Sequence, residues 1–337
     1  MHKIIYLILF VSLVLGGYSL YCKSMSVFSS DESNREVVLI LDTDIDSDVD
    51  DVGTLAMLHT LADEKIVKIL GIVVTSDDVY AAQCVDAINH FYSRPDIPIG
   101  VEKDIELRHH SKYTKEISEE FDSDLGVGQK LEDATRLYRR LLTEQKDGAV
   151  VVVTVGHLTN LKNLLESKPD DISPLSGLEL VERKVKLWSC MGGRFPEGKE
   201  ANFYRPDPQS TVVCVENWSG PVVFAGWEIG NDIITGGEYL KSSLPIHHPV
   251  RRGYQLYNDF QGRQSWDQAA LLYAVFPTSP YWSIEDKGLC LVAADGSNRW
   301  EKGLMRNHGY LIPRMPVDKI SQKLDELMVG VYKADDN

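Results

Sequence analysis

The residues with the clearest chemistry are six aspartates crowded into the ten positions from 42 to 51. They follow the apolar run Val37–Leu41, which predicts a buried strand, and precede Val52–Leu61, where apolar residues recur at helical spacing. Carboxylates held this close repel one another and raise each other's pKa values unless a cation or a hydrogen-bonding ligand compensates them. Because no His or Cys lies nearby, the oxygen-only set favours a hard cation, calcium or magnesium.

Other interpretations of this acidic segment start from the same residues. A solvated acidic loop that caps the following helix stays open, above all for Asp46 and Asp48. An EF-hand loop opening at Asp42 fails, because it requires Gly at position 47 and Glu at position 53, where this chain has Ser and Gly. A magnesium-dependent phosphatase of the haloacid dehalogenase type also carries Asp-x-Asp after its first strand. Asp42 or Asp44 as an aspartyl nucleophile therefore stays open.

The elements that must position these carboxylates alternate between strands and helices. Further strands are predicted at Ile66–Val74, Ala149–Val155, Val185–Cys190 and Pro221–Ala225, and helices at Tyr80–Tyr92, Leu131–Gln145, Leu158–Glu166 and Gln209–Val215. Strands that are apolar on both faces and alternate with helices indicate an α/β fold with a mostly parallel open sheet flanked by helices. Ligands of such sheets bind at the carboxyl ends of the strands. The polar stretch Glu102–Gln129 is interpreted as an insertion over one edge, and Val317–Met328 as a closing helix.

Composition limits the partners of the chain. With 337 residues, 43% of them hydrophobic, one α/β domain over residues 37–337 can bury a large core. The formal charge of −15 would repel a phosphate backbone, which argues against nucleic acid and anionic membrane surfaces. A neutral or cationic small molecule fits better, and self-association into a homo-oligomer stays open.

The N-terminus reads as a targeting segment. Lys3 and the apolar run Ile4–Leu15 predict a signal peptide over residues 1–22, followed by a linker at 23–36 rich in Ser, Asp and Glu. The run is shorter than the roughly 20 apolar residues that span a bilayer, so we expect export to the periplasm or the exterior without stable membrane insertion. Cys22 is an alternative lipid anchor, although Tyr21 occupies a position where lipoprotein signals carry a small residue.

The remaining cysteines show no paired C-x-x-C spacing and hence no zinc or redox signature. Three of them, Cys84, Cys190 and Cys214, lie in apolar stretches, which predicts buried free thiols.

The acidic segment resembles the signature D-x-D-x-G-x-D-D of the inosine-uridine nucleoside hydrolase family. The matching residues are Asp42, Asp44, Asp50 and Asp51, with two extra residues in the loop of this chain. Other segments agree with the family in order and spacing: Val155-Gly156-His157-Leu158-Thr159-Asn160 with T-G-P-L-T-N, Met191-Gly192-Gly193 with M-G-G, Glu200-Ala201-Asn202-Phe203 with E-F-N-V, and Trp266-Asp267 with H-D. The resemblance covers roughly Val37 to the C-terminus and implies a Rossmann-like nucleoside hydrolase fold.

The resemblance also implies a set of site residues. Calcium would be held by the carboxylates of Asp44, Asp51 and Asp267 and by the carbonyl of Val155. Asp44 would be the general base toward a calcium-activated water that cleaves the N-glycosidic bond. The substrate contacts would come from Asp50, Met191, Glu200 and Asn202, with His157 near the pocket mouth. Simple structural roles stay open for several of them: turn residues for Glu200, Asn202 and His157, and a helix cap for Asp267.

Two departures from the family pattern concern the substrate. Asp77 falls near a family asparagine that contacts the substrate; it can bind a sugar hydroxyl but disfavours an anionic ligand. Trp266 replaces a histidine thought to protonate the departing base, and an indole offers one N–H donor but no acidic proton. Its ring can instead bind the substrate by stacking on the base or on an aromatic aglycone. Nucleosides or related ribosides are the expected substrates. A non-catalytic calcium-dependent nucleoside or sugar binding protein is a second hypothesis, against which the retained Asp44 argues.

Overall fold

A nine-stranded sheet lies at the centre of the computed structural model, which describes residues 36–102, 111–126, 129–304 and 306–333. The described strands are β1 (Val37–Thr43), β2 (Val67–Val74), β3 (Ile99–Val101), β4 (Glu132–Asp133), β5 (Val150–Thr154), β6 (Val185–Met191), β7 (Glu197–Gly198), β8 (Val222–Ala225), β9 (Ile234–Thr235), β10 (Arg263–Gln264), β11 (Trp282–Glu285), β12 (Gly288–Val292), β13 (Asn298–Lys302) and β14 (His308–Pro313). The large sheet has the order β11-β14-β8-β6-β5-β1-β2-β3-β4. Two small antiparallel sheets, β12-β13-β7 and β10-β9, complete the described strands.

The strand order reverses beside β1. From β1 the chain proceeds to β2 and β3 on one side, whereas β5 and β6 lie on the other. All neighbours in the large sheet are parallel except β11 and β14, so the carboxyl ends of β1 and β5 meet at one edge. In α/β sheets this switch point opens a crevice in which ligands bind.

Helices cover both faces of the sheet. They are α1 (Asp50–Asp63), α2 (Ala81–Phe91), α3 (Thr114–Glu120), α4 (Ala134–Thr143), α5 (Thr159–Glu166), α6 (Gly177–Lys184), α7 (Ala201–Tyr204), α8 (Pro208–Asn217), α9 (Trp227–Gly230), α10 (Glu238–Ser243), α11 (Pro249–Asn258), α12 (Trp266–Val275) and α13 (Val317–Met328). Residues of β1 alternate between the two faces: Leu39 and Leu41 join one apolar cluster with α1 and α12, and Ile40 joins the other with α4 and α5.

Two helices, α1 and α12, are enclosed by the rest of the protein. Nearly every residue of both is buried, so neither shows the one-sided apolar stripe of a surface helix. Their N-termini reach the crevice at the switch point. Rigid buried helices therefore carry the acidic residues at its base.

The observed elements confirm the expected α/β architecture, and α13 has the predicted bounds. One predicted helix, Leu131–Gln145, begins instead at Ala134, because Asp133 accepts a hydrogen bond from the Arg136 backbone N–H (3.0 Å) and caps it. Glu132 and Asp133 itself pair with β3 as a short edge strand. The predicted insertion contributes α3.

Several predictions for the N-terminus and for the insertion concern residues outside the described ranges. The predicted signal peptide, the linker up to residue 35, Cys22 and part of the insertion lie outside the described residues. Across the described ranges, no helix has the length and apolar character required to cross a membrane. Cys84, Cys190 and Cys214 are buried free thiols, as predicted, and so is Cys290.

Candidate active site

Asp44 lies at the switch point, directly after β1. The turn after β5 passes so close to it that a Cβ atom built on Gly156 would lie 2.7 Å from the Asp44 Cβ. Any side chain at position 156 would therefore displace the carboxylate, which is a local reason for glycine there. The close approach brings the Val155 carbonyl and the Asp44 carboxylate into the same crevice.

Asp42, two residues earlier, does not line the crevice. It is buried and accepts hydrogen bonds from the Tyr138 hydroxyl (2.8 Å) and the Asn160 side-chain amide (3.1 Å). Burial raises its pKa to about 7 despite these two donors. Asp42 thus ties β1 to α4 and α5, and this position argues against Asp42 as the nucleophile of a phosphatase.

Asp50 and Asp51 form the first turn of α1 and are both buried. Asp50 Oδ2 accepts hydrogen bonds from the backbone N–H groups of Trp266 (3.2 Å) and Asp267 (3.3 Å) at the start of α12. Asp51 accepts a short hydrogen bond from the Thr43 hydroxyl. Asp50 therefore joins the N-termini of the two buried helices and sets Asp267 beside the acidic loop.

The carboxylates of Asp44, Asp50, Asp51 and Asp267 form what we call the cavity floor. Burial raises the pKa of each of them well above its usual range, and neighbouring negative charges raise it further. For Asp51 these neighbours are Asp44, Asp50 and Asp48. Such a cluster needs a compensating positive charge to stay ionised.

The cavity floor fits a hard cation. Asp50 Oδ1 and Asp51 Oδ2 are buried and have no hydrogen-bond partner among the described residues. Oxygen atoms of Asp48, Asp50 and Asp51 lie within 4.8 Å of one another. Oxygen-only ligands at these separations suit calcium or magnesium, because a single ion can contact several of them at once.

One wall of the cavity is built by the segment that leads into α7. The side-chain amide of Asn202 donates to the Val155 carbonyl (2.8 Å) and approaches the Met191 sulfur (3.1 Å). Glu200 accepts hydrogen bonds from the backbone N–H groups of Gly193 (3.0 Å) and Asn202 (2.9 Å). Burial raises the pKa of Glu200 to about 7. Glu200 thus orders the turns that present Met191 and Asn202.

Aromatic and cationic side chains also line the cavity, and we call this group the cavity mouth (Lys199, Arg205, Trp227, Arg263 and Trp266). The indole N–H of Trp266 donates to the Trp227 carbonyl (2.8 Å). The Arg263 guanidinium lies 5.0 Å from the centre of the Trp266 ring and pairs with Asp48 at 2.5 Å. The mouth is therefore aromatic and positively charged, in contrast to the floor.

Most of the predicted site residues come together in one cavity of about 600 Å³. The predicted residues on its lining are Asp44, Asp50, Val155, His157, Met191, Glu200, Asn202, Trp266 and Asp267. Asp51 lies next to this lining, within reach of Asp48 and Asp50. Asp77 is instead exposed and lines a separate pocket of about 260 Å³. A substrate contact by Asp77 is not supported by its position.

The structure does not support simple structural roles for these acidic residues as helix caps or as a solvated loop. The N-cap residue of α1 is Val49, without a side-chain cap, and that of α12 is Ser265 rather than Asp267. Asp46 is buried and accepts a short hydrogen bond from the Ser76 hydroxyl, so it is not a solvated loop residue.

His157 lines the cavity but is buried and has little freedom. Its Nε2 lies 2.5 Å from the Thr75 carbonyl, which can only accept, so Nε2 carries the proton and donates it there. Burial lowers the pKa of His157 to about 4. The imidazole is thus neutral at pH 7 and holds the turn after β2 against the turn after β5.

Sequence reasoning missed the cationic half of the mouth. Arg263 precedes Trp266 by three residues, and the charge of a lone arginine gave no reason to place it in the site. Lys199 and Arg205 flank the Glu200 segment and were likewise not singled out. The spacing to neighbouring motifs was the available signal for all three.

One comparison with known proteins identifies a family. Residues 39–307 match the model of the inosine-uridine preferring nucleoside hydrolases. A comparison of the sequence with curated proteins gives no match.

Among solved structures, the fold is similar to a purine-preferring ribonucleoside hydrolase from Gardnerella vaginalis (TM-score 0.68, 15% identity, 87% of this chain and 98% of that chain). It is also similar to an inosine-uridine preferring nucleoside hydrolase from Bacillus anthracis (TM-score 0.65, 14% identity, 88% of this chain and 100% of that chain). A plant nucleoside hydrolase is similar as well (TM-score 0.64, 15% identity, 87% of this chain and 99% of that chain). At these identities the likeness shows a shared fold.

Proposed function

Because the chain belongs to the inosine-uridine preferring nucleoside hydrolase family and is a hydrolase that acts on N-glycosyl compounds, we propose that it cleaves nucleosides or related ribosides with the aid of Ca²⁺. The observation that carries this proposal is the convergence of Asp44, Asp51, Asp267 and the Val155 carbonyl at the switch point of the sheet. The chain elements that supply them span more than 200 residues of the sequence. The parallel sheet brings the ends of β1 and β5 together, but it does not require acidic residues at that point.

The proposed cation ligands are Asp44, Asp51, Asp267 and the carbonyl oxygen of Val155. That carbonyl already accepts one hydrogen bond from Asn202, and its second lone pair is available to a cation. Calcium is favoured over magnesium because it accepts many protein oxygens in flexible geometry, whereas magnesium retains several waters. When bound, the cation supplies Lewis-acid chemistry by lowering the pKa of a neighbouring water.

Asp44 is proposed as the general base. It is the partly exposed carboxylate at the floor and lies beside the cavity, so it can accept the proton of an attacking water. Asp50, Glu200 and Asn202 are proposed to orient the ribose hydroxyls, and Met191 to pack on the sugar. The negative charges of Asp50 and Glu200 then stabilise the positive charge that develops on the sugar ring as the glycosidic bond breaks.

A panel of nucleosides tests this function directly. We expect ribose release from at least one nucleoside in the presence of Ca²⁺, detected as reducing sugar. Binding of nucleosides without ribose release would instead identify a non-catalytic binding protein. Turnover of p-nitrophenyl phosphate with Mg²⁺, and no ribose release, would identify the phosphatase.

Export is the proposed location, with support from the apolar run Ile4–Leu15 and the polar segment after it. The N-terminal residue of the purified protein tests this proposal. A mature chain that begins within residues 20–36 supports cleavage after export, and an intact Met1 in the cytoplasmic fraction contradicts it.

A further inference from the structure

Cleavage of an N-glycosidic bond leaves an electron pair on the departing aglycone. This charge must be protonated or stabilised if the aglycone is a poor leaving group. A role for the protein in stabilising the aglycone rests on the proposed function, because the aglycone is a product of that same reaction.

Two residues near the cavity mouth are unsuited to protonate the aglycone. The Trp266 N–H is engaged with the Trp227 carbonyl and is not acidic. His157 donates its proton to the Thr75 carbonyl. Neither can deliver a proton without breaking a hydrogen bond that holds the site together.

Arg263 is the partly buried cation of the mouth. About a quarter of its side chain is exposed, whereas Lys199 and Arg205 are exposed residues. Its guanidinium lies between the rings of Trp266 (5.0 Å) and Tyr257 (5.6 Å). An arginine stacked in this way uses its faces for the rings and leaves the N–H groups on its edge for hydrogen bonds.

The hydrogen bonds of Arg263 fix its position without using all of its donors. One terminal nitrogen donates to Asp48 (2.5 Å) and the other to Gln264 (3.2 Å). The Nε–H is buried and has no partner among the described residues. Asp48 belongs to the acidic loop, so the salt bridge links the mouth to the same loop that carries Asp44.

We propose that Arg263 is a catalytic residue that binds the aglycone and stabilises its negative charge as it departs. The C1–N bond breaks and its electron pair remains on the aglycone nitrogen, while a C1–O bond forms with water, whose proton goes to Asp44. Arg263 donates hydrogen bonds to the aglycone anion and keeps its own proton. The released anion takes a proton from solvent, and Asp44 returns its proton to solvent, so the products are free ribose and the neutral base.

This role selects a class of substrate. A guanidinium keeps its proton throughout the accessible pH range and does not protonate a leaving group, so aglycones that carry negative charge well are favoured. Aromatic aglycones that lose a proton readily, and that can lie flat against Trp266, meet both conditions. Inosine, with a more basic leaving group, is then a poorer substrate than p-nitrophenyl riboside.

A series of substituted phenyl ribosides tests the proposal, because the pKa of the leaving phenol varies while the sugar stays constant. The variants are Arg263→Gln, Arg263→Lys and, as a matched control, Arg194→Gln. Arg194 stacks on Trp227 at 4.5 Å, is exposed and does not line the cavity. The plot of log kcat/KM against leaving-group pKa is the readout.

We expect Arg263→Gln to steepen this plot, with a loss of about 10²- to 10³-fold for the poorest leaving group. For p-nitrophenyl riboside the expected loss is smaller than tenfold, because this aglycone needs little stabilisation. Arg263→Lys keeps the charge, so its slope should lie between those of the wild type and Arg263→Gln. Arg194→Gln should keep the wild-type slope. If Arg263→Gln does not fold, the slope of Arg263→Lys is compared with that of the wild type instead.

An equal loss for every substrate would overturn the proposal, since it would mean that Arg263 only supports the acidic loop. Asp48→Asn separates that case, because a purely structural role predicts the same uniform loss from both partners of the salt bridge, whereas the proposed role predicts a steeper slope from Arg263→Gln alone. Failure of the wild type to hydrolyse any riboside would count against the proposed function itself. The two failures are therefore distinguishable.

Discussion

The cavity floor and the cavity mouth are built in different ways. The floor takes its carboxylates from the ends of long buried elements, β1, α1 and α12, and those carboxylates are mostly inaccessible to solvent. Apart from Trp266, which is the first residue of α12, the mouth takes its aromatic and cationic residues from two- to four-residue elements and their loops, such as α9 and β10. The floor is thus fixed by the packing of the core, whereas the mouth depends on a few local contacts.

This difference suggests how the reaction is divided. Groups that must be placed accurately against the sugar belong on rigid elements, because small displacements of a reacting group cost large factors in rate. Groups that choose the aglycone can lie on short segments, where residues change without disturbing the core. Changes at the floor should therefore reduce kcat, and changes at the mouth should alter substrate preference.

Removal of the cation should give the largest effect. We expect chelator to abolish ribose release and to lower the melting temperature, because the crowded carboxylates of the floor then lose their compensating charge. Added Ca²⁺ should restore both. Full activity in excess chelator would contradict the calcium proposal, and restoration by Mg²⁺ alone would replace calcium with magnesium.

Asp44→Asn should come next. It removes a proposed ligand and the proposed base together, so kcat should fall by at least about 10²-fold. Asp46→Asn is the matched variant from the same loop, and it should cost far less. Equal losses from the two substitutions would show that the wrong aspartate of the loop has been assigned as the base.

Glu200, in the segment that leads into α7, should make the free energy of unfolding depend on pH. Its pKa is about 7 in the folded protein against an ordinary value near 4.5. Between these values the folded state binds more protons than the unfolded state, so the free energy of unfolding should fall as pH rises through this window.

The measurement is the difference in unfolding free energy between wild type and Glu200→Gln, with chelator present. The difference cancels the contributions of other groups and should decline by on the order of 3 kcal/mol from pH 4.5 to pH 7. A flat difference would mean that Glu200 is ionised throughout, with its charge compensated by the hydrogen bonds from Gly193 and Asn202.

Trp266→Ala should give the smallest effect and one of a different kind. Loss of an aromatic surface against a stacked base costs roughly 1–3 kcal/mol in nucleic-acid binding proteins. We expect KM to rise more than kcat falls, because stacking stabilises the bound substrate and the transition state alike. A fall in kcat with unchanged KM would place Trp266 with the floor rather than the mouth.

The sequence predicted the floor better than the mouth, and the reason is physical. Parallel strands buried on both faces are continuous apolar runs, so β1, β2, β5 and β6 were recognisable, and acidic residues at their ends have no ordinary structural role. Apart from α12, which begins at Trp266, the elements of the mouth are too short to carry a periodic pattern. Arg263, on a two-residue strand, could be assigned only once its distance to Trp266 was known.

The structural roles of Asp42 and His157 could not be predicted from the sequence, because they depend on tertiary contacts. Asp42 matched the family signature, but its bonds to Tyr138 and Asn160 join residues about a hundred positions apart. His157 seemed available near the pocket mouth, but its proton is committed to Thr75. Such pairings arise from tertiary contacts, and no local spacing in the sequence indicates them.

The hydrogen bonds from Asp50 to the start of α12 have a consequence for biosynthesis. They join residues 216 and 217 positions apart, so the acidic segment leaves the ribosome long before its partners exist. Until residues 266 and 267 emerge, the carboxylates of Asp44, Asp50 and Asp51 cannot be enclosed, and hydration of their charges keeps that end of the nascent chain open. Closure of the candidate site is therefore a late event, and a chain truncated before Trp266 would lack both Asp267 and the backbone donors that hold Asp50.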